Sequence, residues 1–139
     1  MLAGFTKISR TIDDRLQAGG DISSPEFSVL VALSEAQDHT LRLRELCEEL
    51  GWDRSRASHQ VTRMEKRGLL TKKKCPGDAR GVLVILTDQG MSHLEEAVPD
   101  HVETVRRLIF DHLDADRADK ISEFFTDVLA AEDLPTNQL

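Results

Sequence analysis

The 139-residue sequence predicts a mainly helical fold with one small β-hairpin, an α+β class, and three features support this prediction. Apolar residues recur at helical spacing near both ends of the chain. Two short helical patterns near the middle are separated by a turn at Gly51. Two extended segments then flank the turn sequence PGDARG, residues 76–81. A chain of this length is sufficient for one domain with a substantial core.

The first two helices are predicted from apolar spacing and cap residues. The first helix ends at Gly19-Gly20, and its apolar residues are Leu2, Phe5, Ile8, Ile12 and Leu16. The sequence SSPE at 23–26 offers a cap serine, an early proline and a capping-box glutamate for the second helix. That helix continues with Phe27, Leu30, Val31 and Leu33. After a break at His39-Thr40, a short extended piece is expected at Leu41-Arg42.

The middle of the chain has the pattern of a helix-turn-helix. A short helix over 43–50 is expected to bury Leu43, Leu46, Cys47 and Leu50. Gly51 then provides a left-handed end, and Asp53 is a good N-cap for the next helix. Trp52 can pack on Ala57 at this start. The second helix runs to about Arg67, is closed by Gly68, and has a buried stripe of Ala57, Val61 and Met64.

The hairpin and the C-terminal helices follow. Strands are predicted over 69–75 and 82–86. Thr87 caps a helix over about 88–113, which Pro99 should kink, and Asp114 caps the last helix. A tail from Leu134 is expected to fray. Helices from both chain ends carry apolar stripes that a compact core would not cover, so we expect a second copy to cover them in a homodimer.

Basic charge is concentrated in one part of an acidic chain. The net charge is −7, yet residues 54–81 carry nine Lys or Arg against Glu65 and Asp78. Because the local field governs docking on phosphate, this segment favours a nucleic-acid partner despite the total charge. A solvated charged surface is the alternative interpretation.

Several classes of function lack their sequence signals. Apolar runs are too short to span a bilayer, and the N-terminus lacks a signal-peptide core, so a cytoplasmic protein without membrane contact is expected. No paired histidines, Cys-x-x-Cys, Gly-rich phosphate loop or nucleophile elbow is present, so we expect no metal, cofactor or catalytic residue. Cys47 is expected in the core. Cys75 lies beside Pro76 and close to the basic lysines of the wing, where exposure would make a redox role conceivable.

Two motifs resemble the MarR (multiple antibiotic resistance regulator) family of bacterial transcription factors. DRSRASHQVTRMEKRGLL at 53–70 resembles its recognition helix, and DARGVLVILTDQG at 78–90 resembles its wing, with Asp78, Arg80, Leu86, Thr87 and Gly90 at the signature positions. The element order matches over nearly the whole chain, although the first helix is short for the family. The resemblance implies one domain over 1–139, namely a winged helix-turn-helix lobe at 21–87 with dimerisation helices at 1–20 and 88–133.

The resemblance also implies DNA-binding residues. The recognition helix would enter the major groove, and its candidates are Arg54, Ser55, Arg56, Ser58, His59, Thr62, Arg63 and Lys66. Any one arginine could contact only a phosphate, and Arg56 could turn back toward the domain. Arg80 at the wing tip, oriented by Asp78, would enter the minor groove. Of the wing lysines, Lys73 is the candidate phosphate contact.

The implied function is a homodimeric, sequence-specific DNA-binding regulator, a repressor by family analogy, on a pseudo-palindromic operator. The resemblance implies release by a small phenolic or aromatic effector, with a pocket lined by Phe5, Phe27, His39 and Trp52, although such aromatic residues also serve as core. The alternative is a winged-helix protein-interaction module without DNA binding.

Overall fold

The computed structural model describes residues 1–131. Within them the fold is mainly helical with a small antiparallel sheet, as predicted. The elements are α1 (Leu2–Gly20), α2 (Ser24–Glu35), β1 (Thr40–Arg42), α3 (Leu43–Leu50), α4 (Arg54–Lys66), β2 (Leu70–Cys75), β3 (Asp78–Leu86), α5 (Asp88–Leu108) and α6 (Ala115–Ala130), with short 3-10 turns at Gln37–His39 and Phe110–His112. The predicted tail from Leu134, and residues 132–133 of the predicted dimerisation helices, lie outside the described residues.

The chain divides into two compact units, one over 1–104 and one from Val105 onward. The core belongs to the first unit, where α2, α3, α4 and the sheet pack around fully buried Leu30, Leu33, Leu46, Met64 and Leu69. The stripe predicted for α4 is buried, and Gln60 joins it at 6% exposure. Cys47 and Leu50, predicted to be buried, are half-buried at the edge of this core.

The predicted helix caps are largely confirmed. The Ser23 hydroxyl accepts a hydrogen bond from the Glu26 backbone N–H at 3.2 Å, and the Asp53 carboxylate accepts one from the Arg56 N–H at 2.8 Å. Two details differ. The Glu26 carboxylate pairs with Arg67 rather than completing a capping box. The left-handed residue after α1 is Asp21, with φ 52°, rather than a glycine.

The hairpin is tighter than predicted. The sheet order is β1-β3-β2, and β3 begins at Asp78 rather than at Val82. Cys75 pairs with Asp78, so only Pro76 and Gly77 form the turn instead of the six residues of PGDARG. Gly77 provides the positive φ of 78° that this turn needs. Between Lys74 and Cys75 the register shifts, because their partners Val82 and Asp78 enclose three further residues of β3, 79–81.

The sequence LTDQG packs the start of α5 against the hairpin. The Thr87 hydroxyl donates to the Gly68 carbonyl at 2.6 Å and accepts from the Gly90 N–H at 3.0 Å. Thr87 therefore caps α5 as predicted. A Cβ on Gly90 would lie 2.0 Å from the Leu69 carbonyl oxygen, so this contact requires glycine. The helix runs through Pro99 without ending but stops at Leu108, five residues before the predicted end at 113.

The second unit contains the end of α5 and α6. Asp114 caps α6 as predicted, since its carboxylate accepts from the Arg117 N–H at 2.8 Å. No side chain of α6 is buried, and its large apolar residues are 41–85% exposed: Ile121, Phe124, Phe125, Val128 and Leu129. Among residues 1–131, no helix combines the length and apolarity needed to cross a membrane.

Candidate nucleic-acid interface

The outer surface of α4 presents most of the predicted DNA-binding side chains. Gly51 takes a left-handed φ of 64° between α3 and α4, and the buried stripe of α4 then turns its polar residues outward. Seven of these are exposed, and Thr62 is half-buried: Arg54, Ser55, Arg56, Ser58, His59, Thr62, Arg63 and Lys66. These eight side chains therefore lie on the polar side of α4, which faces away from the core.

Side-chain contacts hold β2 against α4. The Lys72 backbone N–H donates to the Glu65 carboxylate at 2.7 Å, and the Lys72 ammonium donates to the Thr62 hydroxyl at 3.1 Å. That hydroxyl in turn donates to the Ser58 carbonyl at 2.8 Å. Lys72 and Thr62 thus contribute to packing, whereas Lys73 and Lys74 are exposed on the hairpin.

Arg56 turns back toward the domain. Its guanidinium carbon lies 4.4 Å from the centre of the Trp52 ring, within the range of a cation–π interaction. Trp52 is half-buried against the core, so it stabilises the start of α4 from beneath. The sequence leaves open whether Arg56 contacts DNA or turns back toward the domain. This geometry favours the contact with the domain.

Arg80 lies on β3. The tip of the wing is formed by Pro76 and Gly77 instead. Asp78 fixes the backbone here, not the guanidinium, because its carboxylate accepts from the Arg80 backbone N–H at 3.0 Å. The Arg80 carbonyl accepts a hydrogen bond from Arg54 Nη2 at 3.4 Å. The first residue of α4 and the wing strand are thereby joined.

Beside this contact lies a cleft of about 170 Å³, here called the basic cleft. Its charged lining residues are Arg42, Arg44, Arg54, Asp78 and Arg80. Sequence reasoning missed Arg42 and Arg44, which lie in the acidic first third of the chain. The signal that could have found them was their alternation around buried Leu43, which places both side chains away from the core.

The four residues predicted to line an effector pocket have separate surroundings. Phe5 lines an open groove of about 680 Å³ between α1 and α2, together with Leu2, Arg10, Asp13 and Pro25. Phe27 stacks on His101 with 4.4 Å between ring centres. Trp52 lies beneath Arg56, and His39 is exposed.

Cys75 is buried at 7% exposure, so the exposure on which a redox role would depend is not found. Its pairing with Asp78 and the close approach of Gly81, where a Cβ would lie 2.7 Å from the Cys75 Cβ, enclose it within the hairpin. His101 is half-buried on α5, and burial lowers the pKa of its imidazole. Residues 1–131 contain no group of three or more His, Cys, Asp or Glu arranged to hold a metal.

Known proteins resemble this chain in both fold and sequence. The model of the MarR family matches residues 21–81. Sco3205, a MarR family transcriptional regulator from Streptomyces coelicolor solved in complex with DNA, aligns with a TM-score of 0.91 and 31% identity over 99% of this chain and 87% of that one. The PcaV regulator from the same organism, solved with its natural ligand, aligns at 0.71 and 30% identity, covering 84% of each chain.

The curated relatives are also regulators. An organic hydroperoxide resistance transcriptional regulator from Bacillus subtilis is 33% identical over 94 residues, which cover 68% of this chain and 60% of the relative. The transcriptional repressor MprA from Escherichia coli is 27% identical over 103 residues, covering 74% and 58%. The matched region thus spans less than two thirds of the length of these relatives.

Proposed function

The chain belongs to the MarR family of transcriptional regulators, and we propose that it represses transcription by binding a pseudo-palindromic DNA site as a homodimer. One observation carries the DNA-binding proposal: the exposed polar surface of α4 is joined to the wing through the contact between Arg54 and the Arg80 carbonyl. Two elements suited to adjacent DNA grooves are thus fixed relative to each other.

The chemistry of α4 suits the major groove. An α-helix fits that groove, guanidinium groups match guanine edges, and hydroxyls suit phosphates or bases. We assign base or phosphate contacts to Ser55, Ser58, His59 and Arg63, all exposed. Lys66 and Lys73 are proposed to contact phosphates.

Arg80 is proposed to enter the minor groove, where narrow A·T tracts attract arginine. The Asp78 carboxylate serves this role indirectly, because it holds the Arg80 backbone N–H and so fixes the direction of the strand. The whole chain has a net charge of −7 although residues 54–81 are basic, so the rest of the chain is strongly acidic. This acidic remainder would orient the basic surface toward DNA.

A homodimer would cover apolar side chains that each unit leaves exposed. In the first unit Leu2 is 85% exposed on α1, and Val102 is 57% exposed on α5. In the second unit Phe124 is 60% exposed. Isolated apolar residues on a surface need no explanation, but stripes on three helices favour a protein partner. We therefore propose dimerisation through 1–20 and 88–133, with 21–87 as the DNA-binding lobe.

A small aromatic anion is the proposed effector. The groove between α1 and α2 offers Phe5 for an aromatic ring and Arg10 for an anionic group. Salicylate serves as a probe: we expect it to raise the melting temperature of the wild type and not that of Arg10→Gln. Equal shifts in both proteins would exclude this groove as the site.

The test of DNA binding compares Arg80→Ala with wild type on a site selected from random duplexes. We expect weaker binding by Arg80→Ala, a salt slope shallower by about one, and an unchanged melting temperature. Arg117→Ala, an exposed arginine on α6, is the matched control. Once gel filtration shows that it assembles as the wild type does, it should bind DNA as the wild type does. Footprinting should protect two half-sites roughly 10 bp apart. Failure of the wild type to select any duplex would favour a protein-interaction module.

A further inference from the structure

The basic cleft gathers four arginines from three parts of the chain. Arg42 and Arg44 flank the start of α3, Arg54 begins α4, and Arg80 lies on β3. Their like charges repel one another, and an anion bound among them would offset this repulsion. Asp78 is the acidic residue that lines the cleft, and its carboxylate already accepts a hydrogen bond from the Arg80 backbone.

Most of the positive charge of the cleft is not neutralised within the protein, because four arginines share it with the single carboxylate of Asp78. Over residues 1–131, no ion pair involves Arg42, Arg44, Arg54 or Arg80, whereas Arg67, Arg106 and Arg117 each pair with a carboxylate. Arg54 is instead held by the neutral Arg80 carbonyl at 3.4 Å. Four arginines that line one cleft with a single carboxylate, and form no ion pair with it, are suited to binding an external anion.

The size of the cleft limits which anion it takes. Its volume of about 170 Å³ lies below the roughly 300 Å³ at which pockets for drug-sized ligands begin. A phosphate group suits a space of this size, and guanidinium groups match phosphate oxygens in paired hydrogen bonds.

The position of the cleft identifies the source of the phosphate. If α4 lies in the major groove and the wing lies in the neighbouring minor groove, one sugar-phosphate strand must pass between them, because that strand separates the two grooves. The cleft lies at this junction, where Arg54 contacts β3.

We infer that the basic cleft grips a phosphodiester group of the DNA strand that runs between α4 and the wing, with Arg42 and Arg44 as its contacts from outside the recognition helix. Arg54 is a positioning residue that ties α4 to β3 through the Arg80 carbonyl. This inference rests on the proposed DNA binding and adds a phosphate clamp to it. Such a contact fixes register on the duplex without reading sequence.

The first experiment measures the salt dependence of binding for the full chain and for Arg42→Gln/Arg44→Gln. Removing one arginine that neutralises a phosphate should reduce the slope of log K against log salt by roughly 0.9. For the double variant we expect a reduction of roughly one to two, with equally weakened binding to selected and random duplexes. Arg15→Gln removes an exposed arginine on α1 that does not line the cleft. Once light scattering shows that it assembles as the wild type does, it should leave the slope unchanged.

The second experiment locates the phosphate. Single methylphosphonate linkages, which are neutral, are scanned along the selected duplex. In each half-site, we expect a methylphosphonate at one position to weaken binding by the wild type. This position should lie between the nucleotides protected by α4 and those protected by the wing. The same methylphosphonate should not weaken binding by Arg44→Gln any further. Even if a variant folds poorly, the absence of any such position in the wild-type scan would contradict the clamp.

The outcomes separate the two proposals. If the wild type binds no duplex, the proposed function fails. If the wild type binds DNA but the double variant has the same salt slope as Arg15→Gln, the clamp is wrong. The clamp is also wrong if the losses of binding caused by the methylphosphonate and by Arg44→Gln add. Inorganic phosphate that occupies the cleft should compete with DNA. If phosphate raises the melting temperature of the wild type but not that of Arg44→Gln, and does so at concentrations that leave DNA binding unchanged, the cleft holds a free anion and the assignment to DNA is wrong.

Discussion

The Arg67 guanidinium, just after α4, forms an ion pair with the Glu26 carboxylate in the first turn of α2, 41 positions earlier. A second nitrogen of Arg67 donates to the Asp21 backbone carbonyl at 2.9 Å. The C-terminal end of the recognition helix is thus attached to the junction of α1 and α2. Because the Glu26 side chain is only 15% exposed, water screens this pair less than it screens a surface pair.

A double-mutant cycle on Arg67→Ala and Glu26→Ala should show coupling of about 1–2 kcal/mol in the free energy of unfolding. The exposed pair Lys120–Asp116, with an N–O distance of 2.7 Å and side chains 71% and 75% exposed, is the control. Its coupling should be about 0.3–0.5 kcal/mol. Urea unfolding of each variant measures both cycles, and equal couplings would show that burial does not strengthen the Arg67 pair.

Gly90→Ala should destabilise the first unit by about 1–3 kcal/mol, because the new Cβ would lie 2.0 Å from the Leu69 carbonyl and force backbone movement. Gly4→Ala is the matched control, since a Cβ there meets nothing within 4 Å. In a helix this control should be neutral or stabilising. Thermal unfolding followed by circular dichroism compares the stability of both variants with that of the wild type. A Gly90→Ala protein as stable as the wild type would refute the close contact.

Arg56→Gln should alter the fluorescence of Trp52, which is the single tryptophan of the chain. Removal of the guanidinium 4.4 Å from the ring centre would expose that face to water and shift the emission to longer wavelength. The stability loss should be about 0.5–1 kcal/mol. Arg54→Gln changes the same charge two positions earlier and should leave the emission unaltered, so identical spectra for both variants would contradict the stacking.

His101 should make stability fall in acid. Its Nδ1 is buried without a hydrogen-bond partner among residues 1–131, and burial lowers its pKa below the usual 6.5. Since the unfolded chain binds the proton more readily, stability is retained above about pH 6.5 and decreases as the pH falls below it. Melting temperatures from about pH 7.5 to 5.5 should therefore fall more steeply for wild type than for His101→Gln.

The control for this pH series is His59→Gln, which removes an exposed histidine from α4. Its pH profile should run parallel to that of wild type. If His101→Gln also runs parallel, the buried imidazole does not contribute to the acid sensitivity.

Much of the fold was predictable because local chemistry encodes it. Ser23, Asp53, Thr87 and Asp114 cap their helices as the sequence predicts, since a cap needs only its own residue and the next turn. The hairpin was predicted less well. A two-residue turn at Pro76-Gly77 depends on the pairing of Cys75 with Asp78, which is a property of both strands together.

The sequence alone determined the helix-turn-helix, the polar surface of α4 and the family resemblance, because periodicity, caps and motif spacing are local properties. Only the tertiary structure decided which distant residues meet. It joined Arg54 to the Arg80 carbonyl, turned Arg56 onto Trp52, and attached Arg67 to Glu26. It also brought Arg42 and Arg44 into the basic cleft. The physical reason is that the direction of a long charged side chain depends on neighbours that packing supplies, and those neighbours lie far apart in the sequence.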